Sequence, residues 1–278
     1  MHVEHEFPFT TQDFDCIRAL VNQQTGIVLS ETKQDLVYGR LTRRLRHLGL
    51  DSFEAYCQVL QTGDAAEIEQ LVNAITTNLT MFFREAHHFE HLATILLPAL
   101  LDTKAHNRRL RLWSAGCSTG EEPYSMAMVC KEVIPATSGW DVKILATDID
   151  SNVLATAQQG IYSAERVQGM SPQRLQRWFR KGQGGHAGLV RVLPELQQLI
   201  TFRQLNLMHA WPMRGPFDMI FCRNVVIYFD KTTQRQLFER FAALLDARGH
   251  LFVGHSESLF KITDRFELLG KTIYRRCL

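Results

Sequence analysis

Hydrophobic positions along this chain change their rhythm once, near residue 108. Before that point they recur at helical spacing in four stretches. Thr10 and Asp13 open the first, which stops at Thr25-Gly26, an order of residues that caps a helix at both ends. The second runs from about Thr32 to Leu48 and ends at Gly49. Ser52 with Glu54 starts a third that ends near Gly63, and Asp64 with Glu67 caps a fourth reaching about Ile75. No strand pattern interrupts them. Residues 1–76 are therefore expected to form an all-α domain, followed by a linker and leading helix over 77–107.

From Arg108 onward, short apolar runs alternate with amphipathic stretches. Residues 110–113, 142–146, 200–205, 217–222 and 251–254 read as strands, and 123–133, 152–159 and 232–245 as helices. That alternation predicts a doubly wound α/β domain over 108–278, built on a mostly parallel sheet. Two late runs, 266–269 and 273–276, flank Gly270 and should close the sheet as an antiparallel hairpin. About forty residues separate Gly160 from Thr201, too many for an ordinary crossover. Ser171-Pro172 opens a helix there. Gly182, Gly184, Gly185 and Gly188 then precede an alternating run at 189–193, so a small antiparallel β insertion is expected over about 160–200.

Composition narrows the class without choosing a function. The chain has 278 residues, 45% apolar and 22% charged, the ordinary range for a globular protein. A formal net charge of +2 is too small to imply nucleic acid by itself. No apolar run approaches the ~18 residues of a membrane span. The stretch 1–9 lacks the apolar segment of a signal peptide. A cytoplasmic monomer, not inserted in a membrane, is the expectation. The six cysteines contain no C-x-x-C pair, which argues against a zinc knuckle, a redox motif or a disulfide framework.

Candidate chemistry begins after the first α/β strand, at Ser114-Ala115-Gly116-Cys117-Ser118-Thr119-Gly120-Glu121-Glu122-Pro123. Glycines there let the backbone turn tightly beside a ligand at the carboxyl edge of the sheet. Glu121 and Glu122 open the next helix, where a dinucleotide or ATP would place a phosphate. Two carboxylates repel a phosphate, whereas S-adenosylmethionine has none and carries an ammonium and a sulfonium. The plain alternative is that both acids complement the helix dipole. The second strand ends in Asp148, placed to accept from both ribose hydroxyls, or else to cap the following helix. The next strands end near Asn206-Leu207 and Arg223-Asn224, which puts polar groups along one sheet edge.

Several long motifs, in one order, resemble the chemotaxis receptor methyltransferases of the CheR type. They are Thr77-Asn78-Leu79-Thr80-Met81-Phe82-Phe83-Arg84, residues 114–125, Ala146-Thr147-Asp148-Ile149, residues 221–229, and Gly254-His255-Ser256-Glu257-Ser258. The resemblance implies a Rossmann-like S-adenosylmethionine methyltransferase domain with an N-terminal all-α domain and a small antiparallel β insertion. It implies methylation of glutamate carboxylates on the cytoplasmic helices of chemoreceptors. Cofactor contacts are implied at Asn78, Thr80, Arg84, Glu121, Asp148, Asn206, Leu207, Arg223 and Asn224, with Arg84 and Tyr228 beside the reacting methyl group. Met81 and Val226 depart from the family at positions that look like packing. A glutamate acceptor is already ionised at neutral pH, so no strong general base is needed, and no metal is expected. On the residues alone, without the resemblance, Arg84 reads as a structural salt bridge at the domain seam and Tyr228 as a core aromatic. His255 stays unassigned.

Two surfaces are candidates for the protein substrate. Lys33, Arg40, Arg43, Arg44 and His47 fall roughly in one sector of the second helix, either as a plain solvated face or as a contact for acidic receptor helices or RNA phosphates. The resemblance points to the receptor, with Arg40, Arg43, Arg44 and Arg46 as the grip. The insertion, with Gly182, Gly184 and Gly185, resembles family members that hold a receptor's C-terminal peptide as an added strand. An RNA methyltransferase and a non-catalytic cofactor-sensing regulator are the rival readings. No nucleic-acid partner is expected.

Overall fold

The computed structural model describes residues 6–277; residues 1–5, part of the stretch read for a signal segment, and residue 278 lie outside it. Four helices come first: α1 Thr11–Thr25, α2 Gln34–Leu48, α3 Phe53–Gln61 and α4 Ala65–Ile75. Their ends follow the local chemistry. Thr10 and Asp13 form a reciprocal capping box on α1, and Gly26 and Gly49 close α1 and α2 in the left-handed conformation. Phe14, Ile17, Leu41, Leu45, Phe53 and Leu71 from the four helices interlock in one buried core. Glu67 departs from its expected capping role. Asp64 alone caps α4, and the Glu67 carboxylate turns inward to take hydrogen bonds from Arg44 and the Tyr56 hydroxyl.

A leading helix follows, made of α5 Ala86–His91, a π turn at Leu92–Leu96, and α6 Leu97–Thr103. The α/β region then runs β1 Arg109–Ala115, α7 Glu121–Val133, β2 Asp141–Asp148 and α8 Ser151–Gln159. The insertion holds β3 Ile161–Ser163, α9 Pro172–Trp178, β4 Phe179–Lys181, β5 Leu189–Val192 and α10 Pro194–Gln197. The main fold resumes with β6 Ile200–Gln204, β7 Phe217–Cys222, α11 Lys231–Leu244, β8 Leu245–Val253, β9 Phe266–Gly270 and β10 Ile273–Arg276.

The main sheet has the order β6-β2-β1-β7-β8-β10-β9. It is parallel from β6 through β8, and β10 runs antiparallel to both its neighbours. Chain order reverses between β1 and β7, which opens a crevice at their carboxyl ends where ligands bind in such sheets. The sheet is buried on both faces: Leu110, Leu112 and Phe221 pack with α7 residues on one side, and Trp113, Ile220 and Phe241 on the other.

The insertion is an antiparallel sheet of order β3-β5-β4. The alternating run at 189–193 therefore supplies the central strand, paired on both sides. The edges left for an added strand are β3 and β4, and Gly182, Gly184 and Gly185 lie between β4 and β5 rather than on a strand. The Gly182 N–H is already donated to the Leu189 carbonyl.

Candidate active site

The two regions meet around a cavity of about 360 Å³ at the carboxyl ends of β1, β2 and β7. One wall is the glycine-rich turn after β1. Gly116 holds φ +94° there, and a Cβ on it would fall 2.4 Å from a Val225 methyl, so only glycine permits this turn. The Ser118 N–H donates to Asp148 (2.7 Å), and its hydroxyl donates to the Asn78 carbonyl (3.0 Å). Asp148 is buried. Burial pushes its pKa up to about 6, with the nearby Asp150 charge adding to the rise, while the N–H bonds from Asp150 and Ser118 oppose it. A carboxylate has about four acceptor positions, and those two bonds leave room for two more. The cap of α8 is Asp150, not Asp148. Its other oxygen accepts from Asn78 (2.7 Å) and Thr76 (3.0 Å) and so fixes the segment after α4 against the sheet.

Beneath the cavity lies a buried ionic chain. Arg223 reaches Glu122 at 3.0 Å and Glu85 at 3.3 Å, and donates to the Arg84 carbonyl. Burial drives the Glu122 carboxyl above its usual range, with Arg223 pulling the other way. For Glu85, burial also pushes upward, but the His255 hydrogen bond and the Arg223 charge outweigh it and bring the group to about 2. Two carboxylates face one guanidinium, and Asp148 stands nearby without a cation. The buried floor thus suits a positively charged ligand and opposes a phosphate.

Among the expected residues, Asn78, Thr80, Arg84, Asp148, Asn206, Leu207, Arg223, Asn224 and Tyr228 all line the cavity. Glu121 does not. It is fully buried beside the insertion, where it pairs with Arg166 at 2.7 Å, and Arg166 also donates to the Thr80 carbonyl. The acid at the cavity is its neighbour Glu122. Arg84 donates to the Leu79 carbonyl at 2.9 Å, which leaves other guanidinium donors free. The Tyr228 hydroxyl meets no hydrogen-bond partner among the described residues, while its backbone carbonyl accepts from the Val28 N–H at 2.8 Å. Asn206 donates to the Gln24 carbonyl at 2.6 Å and ties the two regions together.

The basic helix is divided in its loyalties. Arg44 forms a bidentate pair with the buried Glu67, and Arg46 pairs with Glu6 at the surface. Arg40 donates to the carbonyls of Ile75 and Thr76 and lines the cavity. Arg43 alone of the four is exposed without a recorded partner among the described residues. Gly182, Gly184 and Gly185 sit in the β4–β5 turn, away from the cavity, and a Cβ on Gly182 would collide with the His186 carbonyl. Met81, expected to pack, is instead 56% exposed at the cavity mouth, while Val226 is buried.

Two acids escaped the sequence reading. Glu257 is buried and accepts four backbone N–H bonds, from Gly254, Asn224, Val225 and Ile227, which shapes the loop carrying Asn224 and Tyr228. Glu85 adjoins Arg84 and holds Arg223. Both lie inside or beside the quoted motifs, Glu257 two residues after His255 and Glu85 next to Arg84. His255 itself is 68% exposed and points at Glu85 (3.0 Å), not into the cavity. Glu85, His87 and His88 bring possible ligand atoms within 4.8 Å of one another, and both imidazoles face the Lys271 carbonyl.

Residues 78–275 match the family described as CheR methyltransferase, SAM binding domain, and residues 12–76 match CheR methyltransferase, all-alpha domain. The chain belongs to the CheR methyltransferase family. It is 47% identical over 264 residues to the chemotaxis protein methyltransferase of Salmonella typhimurium, covering 94% of this chain and 88% of that one. It is also 47% identical over 272 residues to chemotaxis protein methyltransferase 2 of Pseudomonas aeruginosa, covering 97% and 94%. The Borreliella burgdorferi relative is 38% identical over 256 residues, covering 90% and 89%. The CheR assignment makes the chain an S-adenosylmethionine-binding methyltransferase, and the acidic floor and open acceptor sites of Asp148 fit that cationic cofactor.

Proposed function

We propose that the enzyme transfers a methyl group from S-adenosylmethionine to glutamate carboxylates on the cytoplasmic helices of chemoreceptors, leaving glutamate methyl esters. The observation that carries this reading is a single cavity with buried acids on its floor and Arg84 and Tyr228 on its wall. Bound S-adenosylmethionine supplies an electrophilic methyl group on a positive sulfur. Asp148 offers acceptors to the ribose hydroxyls, and Glu122 with Asp148 sets a negative field for the cation. Asn78, Thr80, Asn206, Leu207, Arg223 and Asn224 complete the cofactor wall; Glu121 acts behind it, through Arg166 and Thr80.

The acceptor carboxylate carries its own negative charge at neutral pH, with a reference pKa of ~4.3. No base need deprotonate it and no metal need activate it. Arg84 holds it by the donors that Leu79 leaves free. Tyr228, with an uncommitted hydroxyl, donates to the acceptor or packs its ring beside the sulfonium. The pocket aligns the two reactants and keeps water from them.

Among the described residues no helix is long and apolar enough to cross a membrane. A cytoplasmic monomer that meets receptors from the cytoplasmic side accords with this reading. Of the four arginines expected at the receptor, Arg43 is the one without a side-chain partner among the described residues, and the β4 edge, next to Gly182, Gly184 and Gly185, is the place for a receptor C-terminal peptide. The test is incubation with methyl-labelled S-adenosylmethionine and receptor-bearing membranes, followed by mild alkali. Volatile labelled methanol is expected. Label that resists alkali, or appears only with added RNA, overturns the glutamate assignment.

A further inference from the structure

Ten large hydrophobic side chains stand exposed among the described residues, and three of them line the one cavity described above: Val28 (52%), Leu79 (80%) and Met81 (56%). A side chain so exposed that also lines a cavity stands at its mouth. Ile227 (46%) is also exposed and is the residue before Tyr228, which lines the cavity. Scattered surface hydrophobes need no explanation, but a cluster around one opening does.

The collar is held in shape. Val28 donates to the Tyr228 carbonyl, the Leu79 carbonyl accepts from Arg84, and the Ile227 N–H donates to the buried Glu257. Three different parts of the chain are thus fixed with their apolar side chains outward. Charge among the lining residues is sorted by depth. Lys33 is exposed and Arg84 half-buried, whereas the lining acids Glu122 and Asp148 are buried. Anything that delivers a carboxylate to Arg84 and Tyr228 must cross this rim.

From these features we infer that the collar of Val28, Leu79, Met81 and Ile227 is the docking surface for an α-helix. That helix carries the target glutamate with apolar residues one turn away on either side. Residues at i±3 and i±4 share a helical face. A glutamate pointed into the cavity therefore lays those positions on the collar, in the manner of a helix seated by its apolar face. Lys33 and Arg84 draw the acidic residue, and the collar selects its neighbours. This inference rests on the proposed glutamate methylation.

Because the collar side chains are exposed, Leu79→Ser with Met81→Ser leaves the fold intact. The probe is a soluble, helical cytoplasmic fragment of a chemoreceptor, assayed by alkali-labile methyl release. The double variant is expected to raise KM for the fragment at least tenfold, while KM for S-adenosylmethionine moves less than twofold. Leu79→Ile with Met81→Leu keeps the apolar rim and should bring the fragment KM back to within threefold of the parent. An unchanged fragment KM in the serine variant, or failure of the apolar pair to rescue, overturns the collar. So does a serine variant that keeps its fragment KM but loses binding to anionic lipid vesicles, since the rim then meets lipid. A parent enzyme that forms no ester on the fragment defeats the functional reading itself.

Discussion

Replacing Asp148 by Asn separates the stability of the free enzyme from its hold on the cofactor. Asp148 is 8% exposed and accepts one N–H on each oxygen, from Ser118 and Asp150. Burial raises its pKa from the ordinary 3.8 to about 6. An acid whose folded pKa is raised stabilises the fold below its unfolded value and loses that contribution as pH rises through the folded one. The gap corresponds to about 3 kcal/mol in all, of which about 2 kcal/mol falls between pH 4.5 and 7.5. Asparagine does not titrate. The stability of Asp148→Asn relative to the parent is therefore expected to improve by about 2 kcal/mol across that interval, whatever offset the lost N–H bond introduces.

Urea unfolding of the cofactor-free protein at several pH values measures this directly, because all other titrating groups cancel in the difference. At pH 7.5 the same variant should bind S-adenosylhomocysteine on the order of 10- to 100-fold more weakly by calorimetry, since hydrogen bonds to a charged acceptor contribute about 1.5–3 kcal/mol. Parallel pH profiles for the two proteins would falsify the claim that a buried, cofactor-facing charge sits here at the expense of stability. A relative stability that falls with pH would mean the two N–H bonds, rather than burial, govern the group.

Three further outcomes follow from named contacts. Tyr228→Phe should lower kcat at least tenfold while the affinity for S-adenosylhomocysteine stays within twofold; equal losses in a rate and binding comparison would reject a role in the reacting complex. Arg44→Met leaves Glu67, 4% exposed, with only the Tyr56 hydroxyl as partner, so urea unfolding should report a loss of about 3 kcal/mol. Its KM for receptors should hold, and a raised KM without destabilisation would return Arg44 to the receptor surface. Glu257→Gln keeps one acceptor oxygen and turns an amide on two of the four N–H groups. A stability loss of about 2–4 kcal/mol is expected, and a change below 0.5 kcal/mol would show that the loop shapes itself.

Local chemistry explains why so much of the fold was readable. The capping box of Thr10 and Asp13, the left-handed Gly26 and Gly49, and the spacing of apolar residues are decided within a few positions, and the helices begin and end at them. The buried strands read as apolar runs because both faces of the sheet are covered. What misled was long-range. Glu67 follows Asp64 at capping spacing, yet its carboxylate finds Arg44, 23 residues away, and no local signal distinguishes a solvated acid from one drawn inside. Arg44 meets the same buried acid from the other end, and its place in the basic sector of the helix does not announce that pairing. Glu121 and Glu122 differ by one position, about 100° on a helix, and that turn sends one to Arg166 and the other to Arg223. Strand order in the insertion cannot be read from alternation, which is the same in a central strand and an edge.

The seam between the two regions bears on how the helical region should be understood. Gly26 ends α1, and a Cβ there would lie 2.6 Å from the Met208 sulfur, so the α1 terminus is pressed directly onto the α/β region. Two residues on, the Val28 N–H holds the carbonyl of Tyr228, and just before the turn the Gln24 carbonyl takes the Asn206 amide. The last turn of α1 and the connection after it thus hold the segments that carry a proposed reacting side chain and a proposed cofactor contact. From the far side, Asp150 and Ser118 clamp the Asn78 segment. The cavity is closed by contacts that neither region makes alone. The helical region is accordingly a wall of the active site, and its removal would cost the placement of Tyr228 before it cost any grip on the receptor.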